Sequence, residues 1–386
     1  MRKICFFTGT RAEYGIMSRL MRMVADSPDC ELQIVATNMH LSPEFGLTYK
    51  EIENDGFSIN KKVEMLLSSD TPQGTVKSMG LASIGFADAL EDLKPDIAVI
   101  LGDRYEMLCA AQACLIYKIP VAHLYGGGLT EGAYDDSIRH AISKISHLHF
   151  TSTEEYRKRI IQMGEQPDRV FCVGSLGVDN IINEATMTLE DLNQSLAFNL
   201  GSSFLLVTFH PVTLEKLTAS VQIDELLKAL DDVKGRYKML FTLPNSDTDG
   251  RVIISKIKDY VNRNRENSIA VESLGKLRYY TALKYASAVV GNSSSGLVEA
   301  PSFHTPTLNI GDRQKGRTRG ASVIDVPASY HGIKEGLNIV LSTEFQEVVQ
   351  NACNPYEKKG TLQTIFDIVC TFPLDGLINK RFYNLS

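Results

Sequence analysis

Short, nearly unbroken apolar runs alternate along the chain with longer stretches in which apolar residues recur every three or four positions. Runs of the first kind suit strands buried on both faces, and stretches of the second kind suit amphipathic helices. Their alternation predicts βαβ units built on parallel sheets. In the first half, strands are expected at residues 3–8, 32–37, 97–101, 120–124, 148–151 and 170–173. Between the second and third of these, Met79, Ala82, Phe86, Leu90 and Leu93 mark one helical face, which Pro95 ends because it has no N–H to give. The pattern then restarts, with strands expected at 203–209, 238–243, 268–273, 288–291 and 307–310. The polar stretch 191–202 reads as a linker, and a last apolar face at Leu362, Ile365, Phe366 and Val369 has to be buried somewhere. The fold class that follows is α/β, with two Rossmann-like, doubly wound domains facing a cleft.

Composition narrows the function classes. The net charge of −6 gives no basic footprint, so a nucleic-acid partner is not expected. No apolar run is long enough to cross a bilayer, and only residues 4–7 follow the N-terminal Met-Arg-Lys as an apolar stretch, too few for a signal peptide. A cytoplasmic enzyme without a membrane partner is expected. The seven cysteines contain no Cys-x-x-Cys pair, which argues for core thiols rather than a disulfide framework or a zinc site. His147 and His149 alternate on an expected strand without a third ligand in view, and no metal is expected.

Candidate chemistry gathers where the expected strands end, because loops at the carboxyl edge of a parallel sheet form its binding crevice. The first strand runs into Gly9-Thr10-Arg11-Ala12-Glu13-Tyr14-Gly15, a strand-turn-helix junction with helix N–H groups and an arginine fork, either a phosphate cradle or a tight turn. It is not a dinucleotide fingerprint. The third ends in Gly102-Asp103-Arg104, where Asp103 is a base or a helix cap. A triple glycine, Gly126 to Gly128, precedes Asp135 and Asp136, with Arg139 and His140 four residues on; these are i,i+4 pairs, or a carboxylate held by Arg139. In the second half His210-Pro211-Val212-Thr213 closes a strand, and a polar loop follows at 243–251. Ser293, Ser294 and Ser295 then offer a run of hydroxyls at a helix start, with Glu299 one turn later to accept from ribose hydroxyls. Residues 311–319 pack four cations, Arg313, Lys315, Arg317 and Arg319, into a glycine-punctuated loop. Donors converging from both halves suit a nucleoside diphosphate.

The motifs G-T-R-A-E-Y-G (9–15), G-D-R (102–104), D-D-S-I-R-H (135–140), H-P-V-T (210–213), N-S-S-S-G (292–296) and G-D-R-Q-K-G-R (311–317) together resemble the hydrolysing UDP-N-acetylglucosamine 2-epimerases of sialic and legionaminic acid biosynthesis. They run through nearly the whole chain in family order. The resemblance implies a GT-B architecture, with an N-terminal domain at 1–180, a UDP-binding domain at 181–360 and a C-terminal helix, 361–386, returning to the first. It implies conversion of UDP-N-acetylglucosamine to N-acetylmannosamine and UDP. A base removes the C2 proton as UDP leaves C1, and water then adds to the 2-acetamidoglucal. The C2 proton is not acidic, so holding the departing diphosphate is the main task.

By motif, the resemblance puts Asp103 and Asp135 on the family's catalytic carboxylates and His210 on a catalytic or phosphate-contacting histidine. The UDP-binding set is Arg11, Asn245, Ser293, Ser294, Glu299 and Arg313, joined by Arg104, Ser295 and Arg317 at neighbouring strand ends. Where the family carries an acid two residues after the histidine of the glycine segment or directly after its two glycines, this chain has Tyr125 and Gly128, which moves the expectation to Glu131. No cofactor is expected, and a homodimer or homotetramer is. The alternatives are a UDP-2,4-diacetamido-2,4,6-trideoxyglucose (UDP-N,N'-diacetylbacillosamine) 2-epimerase, a glycosyltransferase of the same fold, and a catalytically silent UDP-sugar-binding protein.

Overall fold

The computed structural model describes residues 1–67, 71–130, 134–183, 185–211, 218–244, 250–272 and 274–385. Glu131 and Asn245 lie outside them, as do Val212 and Thr213. The chain divides into two compact units. The first takes residues 1–129, those described in 133–180, and the C-terminal segment from Lys358; the second takes Ile181–Glu357 and Thr130.

The first unit carries seven strands, β1 (Arg2–Thr8), β2 (Cys30–Thr37), β3 (Lys61–Val63), β4 (Ile97–Leu101), β5 (Val121–Leu124), β6 (Leu148–Thr151) and β7 (Val170–Cys172). They pair in parallel in the order β3-β2-β1-β4-β5-β6-β7. The second carries β8 (Phe204–Thr208), β9 (Lys238–Thr242), β10 (Ser268–Val271), β11 (Ala288–Gly291), β12 (Thr307–Ile310) and β13 (Val323–Val326), in the order β10-β9-β8-β11-β12-β13. Each order reverses once, beside β1 and β4 in one unit and beside β8 and β11 in the other. Helices that cross in opposite directions leave the strand ends uncovered at such a reversal.

Each sheet is sandwiched, and alternate residues of a strand feed opposite cores. Ile4 and Phe6 of β1 join one cluster while Cys5 and Phe7 join the other. In β8, Leu205 and Val207 face one side, Phe204 and Leu206 the other. The helix Pro72–Leu93 buries Ala82, Phe86 and Leu90, and Lys94 stops it in a left-handed conformation. The helix Thr361–Thr371 places Leu362, Ile365 and Val369 in the core of the first unit.

Three readings from the sequence need correction. The stretch 191–202 is no linker, since Thr188 and Asp191 form a capping box that starts the helix Leu189–Leu196, and Leu192, Leu196 and Leu200 are buried. Edge strands β3 and β13 were not read; they are short, and only Val63 and Val323 in them are buried, which breaks the continuous apolar signature. Of the cysteines, Cys353 is exposed rather than in the core. No helix among the described residues is long and apolar enough to cross a membrane.

Candidate active site

In the first unit the reversal point gathers charge. Arg139, on the helix Tyr134–Ile145, is 5% exposed and lies at the centre. Its Nη2 donates to Asp103, and its Nη1 to Asp136 at 3.1 Å and to the Gly128 carbonyl at 2.9 Å. The turn that aims Asp103 is fixed from β5. The His123 ring nitrogen Nε2 lies 2.8 Å from the Gly102 carbonyl, so it carries the proton and donates. Burial pushes the His123 pKa down to about 3, which keeps the ring neutral in that role. Asp135 is half-buried. Burial first, and then the neighbouring Asp103 charge, raise its carboxyl above the usual range, against the pull of Arg139 and Arg104. Among the described residues no hydrogen bond to the Asp135 carboxyl is seen, whereas Asp103 and Asp136 are both anchored.

The junction at residues 9–15 is not an open anion cradle. Thr10 caps the helix Arg11–Asp26, and Glu13 Oε2 accepts from the N–H groups of Gly9 at 2.8 Å and Thr10 at 3.1 Å. An internal carboxylate holds the donors that a phosphate would use. Thr10-x-x-Glu13 is a capping-box pattern, so the signal was present in the sequence. Arg11 is exposed and pairs with Glu51 at 3.0 Å. Arg104 turns to Glu106, Nε to Oε1 at 2.5 Å.

Tyr125 has a structural duty. Its hydroxyl accepts from the Gly177 N–H at 2.8 Å and bonds the Ser175 hydroxyl at 2.9 Å, fixing the start of the helix Leu176–Ile182. His147 Nδ1 accepts from the Val121 N–H and His149 lies 3.3 Å from Glu165, so both histidines are engaged in the core.

The second unit is organised by one amide. Asn292, fully buried after β11, accepts from the His210 N–H at 2.7 Å and donates to the His210 carbonyl at 2.8 Å. Its own carbonyl accepts from Arg313 at 3.0 Å and Gln314 at 2.9 Å. Three separate motifs thus meet on a residue to which the sequence alone assigned no role. The close approach needs Gly291, with φ +139°, where an added Cβ would lie 1.9 Å from the Thr208 carbonyl oxygen. Burial, then the Arg313 charge, lower the His210 pKa to about 4. In the ligand-free protein it is therefore a neutral imidazole at neutral pH.

Ser293 caps the short helix Ser294–Val298 by accepting from the Ser295 N–H, and the Ser295 hydroxyl donates to Glu299. A cavity of about 330 Å³ is lined by Thr242, Glu272, Leu274, Lys276, Tyr279, Tyr280 and Glu299. Burial raises the Glu299 carboxyl above its usual range. Of the four cations in the 311–319 loop, Arg319 is taken by Asp325 on the edge strand β13. Among the described residues no group of His, Cys, Asp or Glu is placed to hold a metal ion.

Residues 22–370 match the UDP-N-acetylglucosamine 2-epimerase family. The chain belongs to that family. As a member it is an enzyme of the UDP-sugar 2-epimerases, and the two parallel sheets are the family's GT-B-like pair. It is 46% identical to a GDP/UDP-N,N'-diacetylbacillosamine 2-epimerase (hydrolyzing) of Campylobacter jejuni, over 90% of this chain and 89% of that one. It is 40% identical to the polysialic acid biosynthesis protein P7 of Escherichia coli, over 96% and 94%. The solved structure of the UDP-GlcNAc 2-epimerase from Neisseria meningitidis bound to UDP-GlcNAc shares the fold, with a TM-score of 0.72, 19% identity, and coverage of 96% of this chain and 99% of that one.

Proposed function

We propose that the protein is a hydrolysing 2-epimerase that eliminates UDP from a UDP-linked 2-acetamido sugar and hydrates the resulting glycal. The observation that carries this reading is the unequal pair Asp103 and Asp135. Two neighbouring carboxyls, one anchored by a buried arginine and one held above its usual range, suit a reaction that needs both a base and a proton donor. In the first step a carboxylate takes the C2 proton, the C1–O bond breaks, and UDP leaves with the bonding electrons. In the second, water adds at C1 while C2 regains a proton.

The nucleotide is assigned to the second unit. Glu299 lines the cavity beside Tyr279 and accepts from ribose hydroxyls, while Ser293, Ser294, Arg313 and the neutral His210 face the diphosphate. A dianion placed beside His210 would raise its pKa, so the ring gains a proton as charge builds on the leaving group. Arg11 is engaged with Glu51, Arg104 with Glu106, and Ser295 with Glu299, so these carry less of the binding than the sequence suggested. Glu131 remains the proposed third acid.

The sugar we favour is the 2,4-diacetamido-2,4,6-trideoxyhexose, because the Campylobacter relative named for it is 46% identical over nine-tenths of the chain. UDP-N-acetylglucosamine is the second reading, supported by the 40% identity to the polysialic acid protein. A proton NMR time course with each nucleotide sugar alone separates them. The preferred substrate releases the free 2-epimerised sugar and UDP, and in deuterium oxide its C2 carries deuterium. Turnover of UDP-N-acetylglucosamine alone would reverse the order, and a C2-protonated product would exclude elimination.

A further inference from the structure

Beside the Asp103–Asp135 pair the first unit holds two buried carboxyls that the proposed reaction does not use. Glu13 is 5% exposed and Glu106 is fully buried. Both approach the same atom, Arg104 Nε, with Glu106 Oε1 at 2.5 Å and Glu13 Oε1 at 4.0 Å. The two groups are packed tightly against the end of β1; a Cβ at Gly9 would lie 2.5 Å from Glu106 Oε1. Glu13 Oε2 has its two N–H donors, but Glu106 Oε2 is buried without a hydrogen-bond partner among the described residues.

Charge and hydrogen-bond accounting point the same way. Two ionised carboxylates against one guanidinium would leave a net negative charge in the interior, which is expensive to desolvate. One proton on the pair makes the trio neutral and provides the donor that Glu106 Oε2 lacks. The groups facing the trio do not supply a second cation. They are Tyr105 and Cys109 on the helix Tyr105–Ile116, Tyr134 and Asp135 on the helix Tyr134–Ile145, and His40 on the turn Asn38–Leu41. Burial lowers the His40 pKa to about 4, so it is neutral.

We propose that Glu13 and Glu106 share one proton and act as a positioning pair for Arg104, together setting the electrostatic field at Asp135. The influence of the trio on Asp135 has two signs. Arg104 favours its ionised form and Glu106 opposes it. Burial first, and then the Glu106 charge, push the Glu13 carboxyl up to about 8, so the shared proton is present at neutral pH. Glu13 and Glu106 touch no reacting atom on this account; they act through Arg104 and Asp135. The consequence for catalysis rests on the epimerase reading above, whereas the shared proton does not.

The test is carbon-13 NMR of side-chain carboxyls in the ligand-free full chain, labelled at Glu and Asp, with no substrate needed. A glutamate resonance titrating near pH 8 is expected in the parent, and its loss is expected in both Glu13→Gln and Glu106→Gln. Gln at position 13 keeps an oxygen for the Gly9 and Thr10 N–H groups and has an amide to offer Glu106, so this isostere should fold. The Asp135 midpoint should move down in Glu106→Gln, up in Arg104→Met, and stay in place in Glu13→Gln, where the proton already keeps Glu13 uncharged in the parent. In an active enzyme the acidic limb of kcat/KM should follow these shifts. No glutamate titrating above pH 6, or an Asp135 midpoint unmoved in Glu106→Gln and Arg104→Met, overturns the proposal. A chain that turns over neither sugar but shows these titrations would sink the functional reading and leave the pair standing.

Discussion

The two sheets reverse their strand order in the same way, yet the loops at the two reversal points are built from opposite materials. In the first unit, Glu13, Asp103, Arg104, Glu106, Asp135, Asp136 and Arg139 crowd together, and hydrogen bonds to charged groups fix all of them but Asp135. In the second, the organiser is the neutral amide of Asn292, and the main-chain groups of His210 are its partners. The difference matches the two tasks assigned to them. Moving a proton needs carboxyls whose affinities differ, and burial beside other charges is what separates them. Holding a diphosphate needs donors that stay put, and a neutral hub can fix a loop without cancelling the charge of Arg313.

The comparison can be broken most directly at the carboxyls. Asp103→Asn and Asp135→Asn should each lower turnover at least about a hundredfold, the low end for a lost acid–base group. Calorimetric UDP affinity should change little. A matching fall in affinity in both variants would mean that the first unit holds the nucleotide after all. Glu131→Gln should behave in the same way if Glu131 is the third acid; parental turnover would remove it from the set.

The converse applies to the second unit. Arg313→Ala should weaken UDP binding by about 1.5–3 kcal/mol, the range for a hydrogen bond to a charged group, with a smaller change in kcat. Asn292→Ala should weaken binding and also lower the melting temperature. It leaves the part-buried N–H and carbonyl of His210 without the Asn292 amide, at up to about 1–3 kcal/mol for each group left unsatisfied. Unchanged UDP affinity in both variants would refute the role of the hub.

Gly128 offers a sharper probe. A Cβ there meets the Tyr156 ring at 3.5 Å and Arg139 Nη1 at 3.9 Å, both ordinary contacts. Gly128→Glu should therefore fold, and it should raise turnover if the acid that the family carries after its two glycines is the missing group. A folded variant with parental or lower turnover would show that the charge around Arg139 is already complete.

The smallest effect concerns acid stability. His40 and His147 are held at about 4 and His123 at about 3, all chiefly by burial and all in the first unit; the second has only His210 in this class. A histidine with a folded pKa below its unfolded value near 6.5 gains a proton on unfolding. Its contribution is whole above pH 6.5 and is lost as the pH falls from there through about 4. Glu13, raised from 4.5 to about 8, pulls the other way as the pH falls from 8 toward 4.5, but between pH 7 and pH 5 three histidines outnumber it. Amide protection, taken relative to the intrinsic exchange rate at each pH, should therefore fall between pH 7 and pH 5 more in β4–β6 than in β8 and β11; equal change in both units would contradict this.

By itself the sequence determined most of the scaffold and the addresses of the site. Central strands of a parallel sheet are buried on both faces, so β1, β4, β8 and β11 read as unbroken apolar runs, and the residues just past them could be named in advance. Asp103, His210 and Ser294 could be singled out as candidates for that reason, while Asp135 and Arg313 stood out only through their motifs. The short edge strands β3 and β13 were not legible, because their half-exposed residues carry no such run. What only the tertiary structure decided is which addresses meet. His210 and Asn292 are 82 positions apart, and nothing local links them until β8 and β11 become neighbours in the sheet. Asp103 finds Arg139 across 36 residues in the same way. Local periodicity reports burial, which each residue carries in its own side chain. A hydrogen bond or a raised carboxyl depends on a second residue, and strand order alone determines who that neighbour is.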